Sequence, residues 1–75
     1  MPIEFDFSAL RGRIIEKYGS YANFAKAVRI PRAALSGRLN NKIQFKPDEI
    51  YQISDPCVLD IESELIGKYF FTPKV

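Results

Sequence analysis

Residues 24–41 read FAKAVRIPRAALSGRLNN, from Phe24 to Asn41, and their interpretation decides the fold. Two short runs with helical spacing, FAKAV and RAALSGRL, are parted only by Arg29, Ile30 and Pro31. Ala25 lies four residues before the turn, where a small side chain lets two helices cross closely. Ile30 follows the turn and can plug the angle between them, and Leu35 returns to the core from the second run. A small residue, a turn, an apolar residue and a second apolar residue five later are what a steep two-helix crossing with a short connection demands. The stretch predicts a helix-turn-helix over about residues 20–40.

Working outward, Leu10, Ile14 and Tyr18 recur every four residues, with Phe7 and Ile15 beside them, which predicts a first helix over about 7–18. Asp6 or Ser8 is placed to accept from its free N–H groups, and Gly19 to end it in a left-handed conformation. Gly12 interrupts this helix at a cost of about 1 kcal/mol relative to Ala, for which a close helix contact is the expected compensation. Ser20 is placed to cap the second helix, with Phe24, Ala25 and Val28 facing inward. A third helix follows over about 31–39, buried along Leu35 and Leu39; Pro31 suits its first turn because its missing N–H would be unpaired there.

Pro47 opens a fourth helix whose positive end suits Asp48 and Glu49, with Ile50, Tyr51 and Ile53 on its inner face. After the break at Asp55-Pro56, Asp60 is expected to cap a last helix over about 61–69, with Ile61, Leu65, Ile66 and Tyr69 inward. There are no repeats and no strand pattern. The expected fold class is therefore all-α: a single compact bundle of about five short helices, one domain over 1–75 with an apolar tail over 69–75.

Seventy-five residues lie near the lower limit for a self-sufficient core, so the apolar residues must pack efficiently or the chain must associate. No apolar run approaches the ~18 residues of a membrane span, and the opening MPIEFDF lacks the basic stretch of a secretory leader. With no histidine and one cysteine, zinc sites, His-based triads and internal disulfides are excluded, and no metal or cofactor is expected. Cys57 reads as a small core hydrophobe. Without a Gly-rich phosphate loop or spaced carboxylates the chain does not read as an enzyme. Such usage fits a reducing cytoplasm.

Net charge is +2, but it is unevenly spread. Arg11 to Lys46 holds nine bases against one acid, Glu16, a net of +8, whereas Pro47 to Gly67 holds six acids and no base. A charge-balanced chain with one basic half suggests a face that meets polyanions.

The pieces FDFSALRGRIIEKYGSYANFAKAV, ALSGRLNNKIQFKPDEIYQI and IGKYFF together resemble the small phage and prophage regulators of the Cro/repressor helix-turn-helix superfamily, above all the short Cro-like proteins of Gram-positive phages. The resemblance implies a lambda-repressor-like fold whose third helix lies in the DNA major groove, with dimers on operator half-sites about one DNA turn (~34 Å) apart. A related type with a similar fold is an antirepressor that binds the partner repressor protein. The resemblance also implies the cytoplasm of a bacterial host. Three positions differ from the family pattern. Arg29 stands at the turn where glycine is usual, at a cost of about 1 kcal/mol for positive φ. Pro31 stands where a serine often caps the third helix. Gly37 falls on its outward face, where a contacting side chain belongs.

On the third helix Arg32, Ala33, Ser36, Gly37 and Asn40 share the face opposite Leu35 and Leu39 and are the expected base readers. Arg32 suits guanine O6 and N7, and Ala33 suits a thymine methyl. Ser20, Tyr21, Arg38, Lys42 and Lys46 are the expected phosphate contacts, Arg38 being rotated toward either a phosphate or an acidic neighbour. Phe70 and Phe71 exceed what so small a core absorbs and are expected at a dimer contact, with closure of the core by one ring as the competing view. The expected partner is thus double-stranded operator DNA, bound by a Cro-like homodimer through residues 31–39. The alternative is an antirepressor whose bare Ala33, Ala34 and Gly37 surface meets the cognate phage repressor.

Overall fold

The computed structural model describes residues 4–74; the ends of the expected domain, 1–3 and the last residue of the tail, 75, lie outside them. Five α-helices follow in order: α1 (Ser8–Tyr18), α2 (Tyr21–Val28), α3 (Arg32–Leu39), α4 (Pro47–Ser54) and α5 (Ile66–Phe70), the last preceded by a 3-10 turn at Ser63–Leu65. α2 and α3 form the helix-turn-helix, packed against α1, which also carries α5.

The core is the apolar stripe of each helix turned to a common centre. Leu10 and Ile14 of α1, Phe24, Ala25 and Val28 of α2, and Leu35 and Leu39 of α3 are all buried, and Ile30 plugs the angle after the turn. Ile53, Leu59, Ile61 and Phe70 complete it from the second half. Around its edge five phenylalanines make edge-on contacts: Phe71 on Phe5 (5.7 Å between centroids), and Phe7 on Phe45 (5.4 Å), which rests on Phe70 (5.3 Å). Such tilted contacts add about 0.5–1.5 kcal/mol each beyond burial, a useful increment in a domain this small.

The helix ends are closed as the sequence indicates. Asp6 Oδ1 accepts from the Ser8 N–H (2.9 Å) and hydroxyl, which hold its carboxyl below the usual range. Ser20 Oγ accepts from Asn23 N–H (3.2 Å), and Gly19, at φ 77°, ends α1 with its N–H on Ile15 O. α2 ends with Arg29 N–H on Lys26 O (3.4 Å) and Ile30 N–H on Ala25 O (3.1 Å). That is a Schellman motif, which requires a left-handed residue between the two. Arg29 fills it at φ 58°.

Several expectations are corrected. Tyr51 is 74% exposed rather than inward, since Ile50 and Ile53 suffice to seat α4. Cys57 is exposed on the turn after Pro56, whose neighbours Val58 and Leu59 enter the core instead. No close contact compensates Gly12, because a Cβ there would meet nothing within 4 Å. Asp60 does not cap a helix. Leu59 and Ile61 are both buried, and reaching the core twice holds the chain open at Asp60 (φ 53°) and delays helix formation to Ser63. Leu65 is consequently exposed.

The tail also departs from expectation. Phe70 is not at a dimer contact: it is 2% exposed and belongs to the core, the competing view. Phe71 is 49% exposed against Phe5. The residues that follow pair with the chain's own first segment, through Asp6 N–H to Thr72 O (2.7 Å) and Lys74 N–H to Glu4 O (2.9 Å) in an antiparallel bridge.

Candidate functional site

α3 runs along one side of the molecule. Its buried edge carries Leu35, Arg38 and Leu39, leaving Arg32, Ala33, Ser36 and Asn40 exposed on the other. Four of the five expected base readers therefore share one surface. The fifth, Gly37, is covered. The Ile43 side chain lies over it, so that a Cβ at 37 would sit 3.1 Å from Ile43 Cδ1. Lys42 and Ile43 are placed there by a second Schellman motif, with Asn41 N–H on Arg38 O (3.3 Å), Lys42 N–H on Gly37 O (2.8 Å) and Asn41 left-handed at φ 63°. The outward face of α3 thus ends in an aliphatic side chain, 47% exposed, that comes from the following loop.

Arg38 is not a phosphate contact. Only 8% exposed, it makes a two-point pair with Glu49, Nε to Oε1 and Nη2 to Oε2, each 2.8 Å, and Nη1 donates to Ala34 O (3.1 Å). Burial pushes the Glu49 carboxyl up, but the Arg38 guanidinium and the Lys46 N–H (2.8 Å) outweigh it and hold the group below its ordinary value. Glu49 thereby ties α3 to the start of α4 and serves as a capping residue at once.

The other expected phosphate contacts fall in two places. Ser20 and Tyr21 stand at the start of α2, where the Ser20 hydroxyl serves as the helix cap and the Tyr21 ring is half-buried. Lys42 and Lys46 are exposed at either side of the loop between α3 and α4. Between Tyr21 and α3 lies a residue left out of the sequence-derived site, Arg11. Its guanidinium donates to Leu39 O (3.0 Å) and Asn40 Oδ1 (2.9 Å) and lies 5.9 Å from the Tyr21 ring centroid. Arg11, Tyr21, Arg32 and Ser36 line one small cleft. Nothing in the local sequence announces this, because the contact spans 28 residues.

Asn40 completes the C-terminal end. Its Nδ2 donates to Ser36 O (2.9 Å) and Ser36 Oγ (3.3 Å) while its Oδ1 accepts from Arg11. Two of the expected readers are therefore bonded to each other. Beyond Ile43 the surface becomes apolar. A groove of about 480 Å³ opens between the loop and the paired termini, lined by Phe5, Ile43, Phe45, Phe70 and Phe71, with Lys42 among the polar residues around it.

Among the described residues no group of three or more His, Cys, Asp or Glu side chains could hold a metal ion, and no helix is long and apolar enough to cross a membrane.

Comparison with known proteins follows the same lines. No curated protein matches the chain. Among solved structures, the chain is similar to the solution structure of the modulator of repression (MOR) of the temperate bacteriophage TP901-1 from Lactococcus lactis. The two are 40% identical with a TM-score of 0.77, over 89% of this chain and 88% of that one. The likeness is to a phage regulator, and to a modulator of repression rather than a Cro protein. A family described only as protein of unknown function, DUF739, matches residues 3–73. On that match, which spans nearly the whole chain, the chain belongs to the DUF739 family.

Proposed function

We propose that this chain is a phage or prophage regulator that acts on a repressor protein, laying the outward face of α3 against the repressor's DNA-reading domain. The observation that carries this reading is the nature of that face. Specific DNA recognition needs several side chains that reach base edges, each good two-point contact giving about 1–3 kcal/mol of discrimination. Here Arg32 alone is long, polar and unbonded; Arg38 is sunk in the ion pair, Ser36 and Asn40 are bonded together, and Ile43 covers Gly37. Small side chains and an exposed Ile43 let another helix approach closely and exclude water, as the centre of a protein interface requires. That the 40% identical neighbour is a modulator of repression supports the same reading.

In this mechanism the chain occupies the repressor surface that would enter the major groove, so the operator is released without any catalytic step, in the cytoplasm of the host. Mixing the chain with its cognate repressor and following size-exclusion elution and operator gel shifts tests it. Co-elution and loss of the repressor–operator complex are expected. Separate elution, combined with tight binding of operator DNA by this chain alone, would refute it.

The second reading, a Cro-like regulator on operator DNA, draws on the +8 charge of residues 11–46 and on exposed Lys42 and Lys46 beside α3. It requires a steep linear fall of log K with log salt on operator duplex. A weak association that is the same on any sequence counts against it.

A further inference from the structure

The junction between α2 and α3 carries a feature that the repressor reading does not use. Ala25, Ile30 and Pro31 form the floor of a shallow open depression, and its rim is Lys26, Arg29 and Arg32. No acid lines it. Lys26, Arg29 and Arg32 are exposed, and none has an ion-pair or side-chain hydrogen-bond partner among the described residues. Arg29 is also held in the left-handed region (φ 58°), where the Schellman motif would accept glycine without strain. The side chain therefore does nothing within the fold to offset its conformational cost, and its charge faces outward from the turn.

From this arrangement we infer that the α2–α3 elbow is a docking surface for an acidic protein segment in which an apolar side chain is flanked by carboxylates. The inference rests on the repressor reading for its partner: the segment belongs to the repressor, outside its DNA-reading helix. Charge complementarity decides both points. Lys26 and Arg29 lie off the outward face of α3, and three unpaired bases with no acid among them complement carboxylates, so the elbow meets an acidic part of the partner other than its DNA-reading helix. The floor argues for protein rather than a phosphate backbone. Phosphates are held by hydroxyls, amides and backbone N–H groups as well as by bases. Here Ala25, Ile30 and Pro31 offer no polar side chain, and Pro31 has no N–H. An apolar side chain can enter the depression while its acidic neighbours reach Lys26, Arg29 and Arg32. The elbow then adds steering and register to the contact made by α3.

Two arms test this. In the first, the full chain labelled with nitrogen-15 is titrated with an end-blocked peptide of one leucine flanked by glutamates. Amide shifts clustered on residues 22–32, and abolished in a Lys26→Glu/Arg29→Glu variant, are expected. Scattered shifts, or shifts that persist in the variant, overturn the inference; so does an operator duplex that perturbs the same amides more tightly than the peptide does.

In the second arm, affinity for the cognate repressor is measured for the natural chain, the double variant, Arg29→Gly and a Lys17→Glu control. A loss of about tenfold or more in the double variant, a smaller loss in Arg29→Gly without loss of fold stability, and no change in the control are expected. Equal binding by all four overturns the assignment of the segment to the repressor. Absence of repressor binding by the natural chain refutes the proposed function instead, and the peptide arm then decides whether the elbow accepts acidic segments.

Discussion

α2 and α3 end in the same backbone motif, and the two ends use their side chains in opposite ways. After α3 the left-handed residue is Asn41, whose Oδ1 accepts from Phe5 N–H and whose Nδ2 donates to Phe5 O, each at 2.9 Å. Arg38 and Glu49 bolt the same corner to α4, and Arg11 and Asn40 close its other side. After α2 the left-handed residue is Arg29, whose side chain bonds to nothing among the described residues, and the following Pro31 offers no side-chain cap to α3. Among the described residues the only long-range side-chain bond at this end comes from Gln52 Nε2 to Val28 O (2.9 Å). The polar groups after α3 hold the fold together. The Arg29 side chain before it makes no such contact among the described residues.

The comparison breaks most readily at Glu49. Replacing it by Ala leaves Arg38 buried without its partner, and the loss expected for a nearly buried pair is about 3 kcal/mol, read as a shifted urea midpoint with unchanged slope. The same pair sets an acid limb. Because the folded-state carboxyl titrates below its ordinary value of 4.5, its contribution is complete above that value and is lost as pH falls through the lower, folded one. Glu49→Gln should flatten the stability–pH curve in that window; an unchanged acid limb would mean that other carboxylates govern it.

Asn41→Ala comes next. It removes two hydrogen bonds to Phe5 and places a Cβ without a compensating polar group at φ 63°, for a combined loss of about 2 kcal/mol. Asn41→Gly separates the two contributions, since it keeps the left-handed conformation and loses only the bonds. Equal losses in the two variants would show that the backbone conformation contributes nothing.

The smallest effect should have the opposite sign. Arg29→Gly relieves the left-handed strain without removing any internal contact, for a gain of up to about 1 kcal/mol by thermal unfolding. Gly12→Ala, at an exposed position of α1, should gain about as much, because nothing lies within 4 Å of the added methyl group. A loss of stability in Arg29→Gly would show that the arginine has a structural role and that the two corners are alike after all.

How much of this was legible in the sequence differs along the chain. Helical periods of 3–4 residues announced α1, α2 and α3, Gly19 and Ser20 marked the junction of the first two, and Pro47 marked the start of α4, because capping and periodicity are local. The same local signals failed after Pro56. There Cys57, Leu59 and Ile61 are alike in hydrophobicity, and which of them enters the core depends on the phase of a turn set by Asp55, whose Oδ1 and O accept from Cys57 and Val58 N–H (2.8 Å each). Of the residues assigned to the α3 face, Arg32, Ala33, Ser36 and Asn40 followed from helical geometry alone. Arg38 was open to two readings, an anion outside the chain or an acid within it. Only the docking of α4 placed Glu49 in reach.

The sequence by itself determined that this is a small helical protein with a helix-turn-helix and a basic first half. Those are properties of composition, spacing and caps. The tertiary structure decided the character of the candidate site: Ile43 folded over Gly37, Arg38 withdrawn into an ion pair, Arg11 added at Tyr21, and Phe70 taken into the core while Phe71 stayed outside. Each of these rests on contacts between residues of separate elements. Local sequence cannot encode them, because a side chain's free energy of exposure is settled only by what packs against it.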